Sequence, residues 1–286
     1  MPELPEVESL ARFLDQETAG QTVTRAELAS LSALKTYDPP LERLVGGVVA
    51  GVGRRGKYLL VRVDGLTLAM HLARGGWVQW RARLAPARPK PGRGPLALRV
   101  GLNGGAGFDV TEQGTEKRLA LWLVGDPLEV DGIARLGPDP LGPGFDVAAL
   151  AAIVGAQRAQ LKGVLTDQSK VAGIGNAYSD EALHVARLSP FKMASSLSDD
   201  EVARLHSAIV EVLTDAVERS RGLPAAGLKS EKKSGLRVHG RTGQPCPVCG
   251  DTVREVSFAT TSLQYCPTCQ TGGKPLADRR LSRLLK

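Results

Sequence analysis

The sequence predicts an α+β chain in two main parts, with a small metal-held hairpin near its end. Three observations carry that expectation. Residues 21 to about 135 break into short segments rich in Val, Leu or aromatics and separated by Gly or Pro, a strand pattern. The stretch LGPDPLGPGF, residues 136–145, holds three prolines and three glycines and marks a boundary. Beyond it apolar residues recur at helical spacing, until four cysteines form a C-x2-C-x16-C-x2-C array. A length of 286 residues fits two domains with a small appendage, at about 100–200 residues per domain.

Taken in order, residues 5–19 predict a helix. Pro5 suits a first turn, Val7, Leu10, Ala11 and Leu14 share one face, and Gly20 suits the stop. The segments VVAGV, KYLLVRV, LTLAMHL, WVQW, LALRVGL and LALWLV then read as strands of a sandwich or barrel. Residues 84–95, LAPARPKPGRGP, read as an exposed, partly extended loop. After the boundary, DVAALAAIV starts one helix, LKGVLTDQ forms a short second, and VAGIG interrupts before a third starts at Asn176. In the long helix that follows, Ser198 is the expected N-cap and Glu201 completes a capping box. Val202, Leu205, Ile209, Val212, Leu213 and Ala216 form its apolar stripe. Residues 222–235, GLPAAGLKSEKKSG, read as a mobile loop.

Composition narrows the class of protein. Apolar residues make up 42% and charged residues 23%, which excludes an intrinsically disordered chain. No apolar run approaches the roughly 18–20 residues of a membrane span, so no membrane partner is expected. The N-terminus MPELPEVESL has neither a basic nor an apolar leader region, so a cytoplasmic protein is expected. Charge is unevenly spread. Residues 221–286 carry 12 Lys/Arg against 4 Asp/Glu, a net of +8, whereas residues 1–220 carry 25 against 26, a net of −1. That excludes a uniformly basic, histone-like chain and suits a globular body with a polyanion-binding end, although a solubilising tail has the same charge.

The four cysteines, Cys246, Cys249, Cys266 and Cys269, are the strongest chemical signal. Each C-x2-C pair puts two thiolates on one tight turn, and two such turns close a tetrahedron around Zn²⁺. Four thiolates leave no open coordination position, so one structural zinc is expected, supplying folding free energy that some 30 residues cannot obtain from a core. The segment between the pairs has β-hairpin character. Two disulfides or free thiols are the alternative, and disulfides fit an intracellular chain poorly.

Several motifs, taken together, resemble the formamidopyrimidine-DNA glycosylase / endonuclease VIII family of base-excision repair enzymes. They are PELPEVE at the N-terminus, RRGKYLL around Lys57, GIGNAYSDE from Gly173 to Glu181, VHGRTGQPCPVCG, and YCPTCQ. The resemblance implies an N-terminal catalytic β-sandwich with an N-terminal helix (2–135) and a linker (136–145). A helix-two-turn-helix DNA-binding domain (146–240), a four-cysteine zinc β-hairpin (241–270) and a basic tail (271–286) follow. It implies a monomer that takes double-stranded damaged DNA between its lobes and acts as a bifunctional glycosylase and AP lyase.

The same resemblance assigns roles. Removal of the initiator Met leaves the Pro2 amine as nucleophile. An α-amine has a pKa of about 7.7–8.0 and Lys about 10.4, so at about pH 7.4 roughly a quarter of the former is neutral and only about one Lys in a thousand. Glu3 resembles the acid/base carboxylate that assists sugar-ring opening, and Glu6 a supporting acid close to the nucleophile. Without the resemblance, both carboxylates read simply as complements to the positive end of the first helix. Lys57 matches the lysine that contacts the phosphate next to the lesion. Gly173, Gly175 and Asn176 match the turn and helix start that grip the backbone, with Lys170 a weaker neighbour.

Other positions depart from the formamidopyrimidine branch. Where a Met fills the void left by a flipped nucleotide, HLA is followed by Arg74. The accompanying Arg and Phe align with Lys117 (beside Arg118) and Leu119 in EKRLA, and the hairpin Arg five residues before the third cysteine is Thr261. LKTY, residues 34–37, resembles the endonuclease VIII branch, and His239 replaces an aromatic. Arg279, Arg280, Arg283 and Lys286 in the tail are candidates to offset the missing Arg. A lyase-only or non-enzymatic paralogue that binds damaged DNA is the main rival, and a zinc-dependent DNA-binding regulator a third class.

Overall fold

The computed structural model describes residues 1–90, 92, 94–259 and 261–277; the tail arginines and Lys286 lie outside them. The chain divides into two compact units. The first holds Met1–Leu136 and Ser220–Lys229, the second Gly137–Arg219 and the chain from Ser230 on. Among the described residues no helix is long and apolar enough to cross a membrane.

The first unit opens with α1 (Leu4–Thr18), whose buried face carries Val7, Leu10, Ala11 and Leu14. Gly20 follows at φ +78, a left-handed conformation that turns the chain out of the helix at little cost for glycine. Eight strands follow: β1 (Val23–Leu28), β2 (Val49–Arg55), β3 (Tyr58–Val63), β4 (Leu66–His71), β5 (Gly76–Arg81), β6 (Leu96–Leu102), β7 (Gly107–Glu112) and β8 (Ala120–Val124). They form two antiparallel four-stranded sheets, β1-β6-β7-β5 and β2-β3-β4-β8, and α2 (Asp131–Ala134) ends the segment. Leu59, Leu68, Met70, Leu98, Val100, Phe108 and Leu121 lie in the core between the strands.

Two of these strands have no counterpart in the segments read from sequence. In β1, VTRAEL, all but Val23 stay partly exposed, so apolar density is low. In β7, GFDVTE, every residue is buried, including Asp109 and Glu112. Asp109 is tolerated there because Arg99 reaches both its oxygens, at 2.8 and 3.0 Å, and Arg81 comes within 3.4 Å.

The second unit contains α3 (Val147–Gly155), α4 (Leu161–Thr166), α5 (Asn176–Val185) and α6 (Asp199–Arg219). The capping box of α6 is formed: Ser198 N–H donates to Glu201 Oε2 at 2.9 Å, and Glu201 N–H donates to Ser198 Oγ at 3.3 Å. All six residues of its expected apolar stripe are buried. After α7 (Leu228–Gly235), the hairpin β9 (Arg254–Ser257) and β10 (Ser262–Tyr265) leads into α8 (Pro267–Thr271).

Residues 222–235 correct the expectation of a mobile loop. They contain α7, and Leu223, Ala225 and Leu228 pack against the core of the first unit. Trp77 anchors the return: its Nε1–H donates to Ala225 O at 3.0 Å, and Lys229 Nζ lies 4.6 Å above its ring. The Gly, Lys and Ser content of this stretch gave no sign of that partner, because Trp77 lies about 150 residues earlier in the chain.

Trp77→Ala is expected to cost about 3–5 kcal/mol of folding stability, measured by denaturant unfolding, and to open residues 220–229 to limited proteolysis. Unchanged stability with unchanged protease resistance would show that Trp77 does not hold this segment.

Candidate DNA interface and zinc centre

In the first unit, strand register brings three segments to one end of the sheets. Tyr58 pairs with His71, and His71 with Ala120, so the β2–β3 turn with Lys57, the start of the β4–β5 turn and the approach to β8 adjoin. Gly76 pairs with Glu112, which adds the rest of the β4–β5 turn, with Arg74, and the β7–β8 loop, with Lys117 and Arg118. The N-terminus of α1 points to the same end. Glu8 is bonded to Arg54, and the Val52 N–H donates to Asp15 Oδ1, so α1 runs antiparallel to β2.

At that N-terminus Pro2 is buried, and Met1 is about half exposed. Glu3 caps α1, and its N–H donates to Glu6 Oε2 at 2.8 Å; both carboxyl residues are buried. Lys57 is 7% exposed. Its cation, after burial, is the second cause holding the neighbouring His71 below the usual imidazole range. His71 also lies 5.0 Å from the Tyr58 ring. It escaped notice in the sequence because a lone His at a strand end carries no spacing signal.

The β7–β8 loop is fixed by Glu112. Its Oε1 accepts from the N–H groups of Arg118 and Leu119 at 2.7 and 2.9 Å, and its main-chain oxygen accepts from Lys117 Nζ at 2.6 Å. Arg74, Lys117 and Arg118 are exposed. Leu119 is not: it is 3% exposed and belongs to the hydrophobic core. The alignment with a stacking Phe gives way to packing here, since an apolar side chain directly before β8 gains more from the core than from solvent.

In the second unit the interrupted segment before α5 is an ordered turn. Gln168 bridges it, accepting from Gly173 N–H at 2.9 Å and donating to Ile174 O at 2.7 Å. Gly173 sits at φ +88, a conformation that a side chain would strain. Gly175 is the N-cap of α5 and Asn176 its first residue, whose Nδ2 donates to Ser262 O of β10 at 2.7 Å. Lys170 is half-buried beside this turn.

Behind the turn lies a buried polar cluster that sequence reasoning missed. Asp180 Oδ1 accepts from Lys162 Nζ at 2.5 Å, and its Oδ2 bonds His239 Nδ1 at 2.7 Å and accepts from Gln264 N–H at 3.1 Å. Lys162 Nζ also donates to Asn176 O and Ser179 Oγ. Glu181 accepts the N–H groups of Arg237, Val238 and His239 at 2.7–2.9 Å. Burial nevertheless raises the Glu181 carboxyl above its ordinary range. These groups come from four separate segments, so no local motif links them.

The four cysteine sulfurs lie within 4.8 Å of one another and form no disulfide. Thiolates about 2.3 Å from a tetrahedral zinc are roughly 3.8 Å apart, and Cys246 and Cys269 stand at 3.9 Å, Cys249 and Cys266 at 3.3 Å. The donor set fits one structural zinc with no open position. His184 Nε2 lies 3.3 Å from Cys246 Sγ, and burial pushes that imidazole down to about 4. Thr261 is exposed between β9 and β10.

Comparison with known proteins adds three family matches. Residues 1–113 match the formamidopyrimidine-DNA glycosylase N-terminal domain, 136–225 the formamidopyrimidine-DNA glycosylase H2TH domain, and 243–272 the zinc finger found in FPG and IleRS. An uncharacterized formamidopyrimidine-DNA glycosylase-like protein of Mycobacterium tuberculosis is 64% identical over 151 residues, 53% of this chain and 94% of that one. The formamidopyrimidine-DNA glycosylase of Moorella thermoacetica is 37% identical over 90% of this chain and 94% of its own. The crystal structure of MutM (Fpg) from Thermus thermophilus superposes with a TM-score of 0.80 at 33% identity, covering 96% of this chain and all of that one. Lactococcus lactis Fpg bound to DNA containing an AP site gives 0.83 at 26% identity, covering 94% and 99%.

The purified protein is expected to hold one zinc ion per chain by elemental analysis. Cys266→Ser is expected to lose it and to weaken DNA binding while the first unit keeps its unfolding transition. A DNA-binding preparation with zinc near zero would contradict this assignment.

Proposed function

The chain belongs to the formamidopyrimidine-DNA glycosylase family, and from that premise we propose that it removes oxidised or ring-damaged bases from duplex DNA and then nicks the strand as an AP lyase. The observation that carries this reading is the neighbourhood of the N-terminus. Pro2 directly precedes the N-cap of α1, beside two buried carboxyl residues, and this end of α1 lies toward the sheet end that bears Lys57.

With Met1 removed, Pro2 presents a secondary amine, and the positive end of α1 lowers its proton affinity. The neutral nitrogen bonds to C1′ of the damaged nucleotide. The C1′–base bond breaks, and the base leaves with its electron pair and takes up a proton. Loss of the amine proton and protonation of O4′, for which Glu3 is the proposed donor, open the C1′–O4′ bond and leave an iminium. That iminium acidifies C2′–H. Its loss expels the 3′-phosphate, and loss of the C4′ proton then expels the 5′-phosphate. Glu6 holds the Glu3 backbone in position. Lys57 is the proposed partner of the phosphate beside the lesion. Gly173, Gly175, Asn176 and Lys170 are proposed for the neighbouring backbone, and Arg74, Lys117 and Arg118 for the gap left by the flipped base.

A second reading, an attenuated or lyase-only enzyme, is favoured by Leu119, whose side chain is committed to the core, and by Thr261 at the family's arginine position. Base–aromatic stacking is worth on the order of 1–3 kcal/mol, and a charge-assisted hydrogen bond roughly 1.5–3 kcal/mol. Even half their sum is about eightfold or more in binding. Arg74 can stack and hydrogen-bond an orphaned base, but only after losing hydration.

Borohydride is expected to trap a covalent adduct on an abasic duplex, and peptide mapping to locate it at Pro2. A protein that retains Met1 should lose trapping and activity; full activity with Met1 retained would rule out the amine mechanism. In single-turnover assays, 8-oxoguanine opposite cytosine, whose flip breaks a full base pair, is expected to be processed more slowly than an abasic site. Equal rates would show that Arg74, Leu119 and Thr261 do not limit the enzyme.

A further inference from the structure

We propose that His184 is a positioning residue of the zinc centre, donating its Nε2–H to the Cys246 thiolate from outside the zinc hairpin. A zinc-bound thiolate has no proton to give, so in this 3.3 Å contact the imidazole is the donor. That fixes the tautomer. The proton sits on Nε2, and Nδ1 becomes an acceptor, which is buried and has no partner among the described residues. His184 itself is 2% exposed. A buried imidazole with one unsatisfied nitrogen is a net cost unless its other nitrogen makes a strong bond, and the thiolate is the group that accepts it.

The electrostatics of the site call for such a donor. Four thiolates around Zn²⁺ carry a net charge of −2, and Cys246 and Cys266 are almost fully buried. Two of the sulfurs have a stabilising backbone N–H within their own knuckles, that of Asp251 for Cys249 and that of Cys269 for Cys266. Such donors come with the C-x2-C turn, whatever its side chains. The donor to Cys246 does not. It comes from the last turn of α5, 62 residues away in sequence, and depends on the residue at 184 being able to donate. Partners of this kind orient a metal ligand and temper its charge, and losing one costs about 10–100-fold in metal affinity.

The same contact gives α5 a further hold on the hairpin. Asn176, at the start of the helix, and Asp180, midway, bond β10, and His184, near its end, bonds the first zinc ligand. This inference does not depend on the glycosylase reading.

The test compares full-length His184→Phe and His184→Gln with the parent. Phenylalanine keeps the ring and removes both nitrogens; glutamine keeps an N–H donor. Competition with a chromophoric chelator is expected to show zinc binding weakened about 10–100-fold in the phenylalanine variant, with the glutamine variant closer to the parent. In cobalt-substituted protein the thiolate-to-metal charge-transfer band of His184→Phe is expected at lower energy, because the Cys246 lone pair is no longer held by a hydrogen bond. A purely packing role predicts unchanged zinc binding and an unchanged band with equal or higher stability, since phenylalanine also removes the orphaned Nδ1. Unchanged zinc affinity and cobalt spectrum, with equal or higher thermal stability, would overturn the proposal. So would a glutamine variant as weak as phenylalanine. Should His184→Phe not fold, His184→Met, flexible and without a donor, takes its place against His184→Gln with the same two readouts.

Discussion

Asp180 and Glu181 stand side by side on α5, each all but removed from water. A carboxylate in that position is tolerated only when its oxygens are bonded, and the partners it demands must be brought to it. Asp180 draws in Lys162 of α4, His239 and the backbone of β10; Glu181 draws in three successive N–H groups of residues 237–239. The helix that begins at the Gly175–Asn176 turn is thereby fixed to the segment leading into the zinc hairpin. Neither carboxylate is a candidate catalyst. Their work is to make the position of the Gly173–Asn176 turn and that of the hairpin a single decision.

The first unit reaches an equally defined arrangement by other means. Antiparallel register carries the β2–β3 turn, the β4–β5 turn and the β7–β8 loop to one end, so Lys57, Arg74, Lys117 and Arg118 gather there despite lying far apart in sequence. Two polar ties along α1 bring the N-terminus toward the same end. The return of residues 220–229 to this unit closes it against Trp77, so its core is completed only after the chain has left it and come back. The end that gathers the candidate residues is therefore assembled from turns, while the strands behind them supply rigidity.

Two positions that depart from the family pattern acquire different meanings once the side chains have surroundings. Leu119 lies in the core, so its smaller size is a matter of packing. Arg74 is exposed at the end that gathers the candidate residues, where a planar cation can meet a base or a phosphate. His184 and His239 form a second pair of contrasts. One bonds a zinc ligand, the other a buried carboxylate, and neither bond follows from the neighbouring sequence.

Sequence alone determined the elements whose cause is local. Helix α1, with its apolar face and Gly20 stop, follows from spacing within fifteen residues. The capping box of α6 follows from Ser198 and Glu201, three apart, and the zinc site from two C-x2-C knuckles, because a tight turn presets where two thiolates point. Motif order along the chain was enough to indicate the family. What sequence could not decide depends on partners distant along the chain. Strand β7 hides two carboxylates whose burial makes sense only beside Arg99 and the backbone of the β7–β8 loop. The return of residues 220–229 needs Trp77, and the donor to Cys246 needs α5. Local spacing sets the conformation of a short segment, but a buried polar group is stabilised by whichever partner the completed fold brings within hydrogen-bonding distance, and only the tertiary structure determines which partner that is.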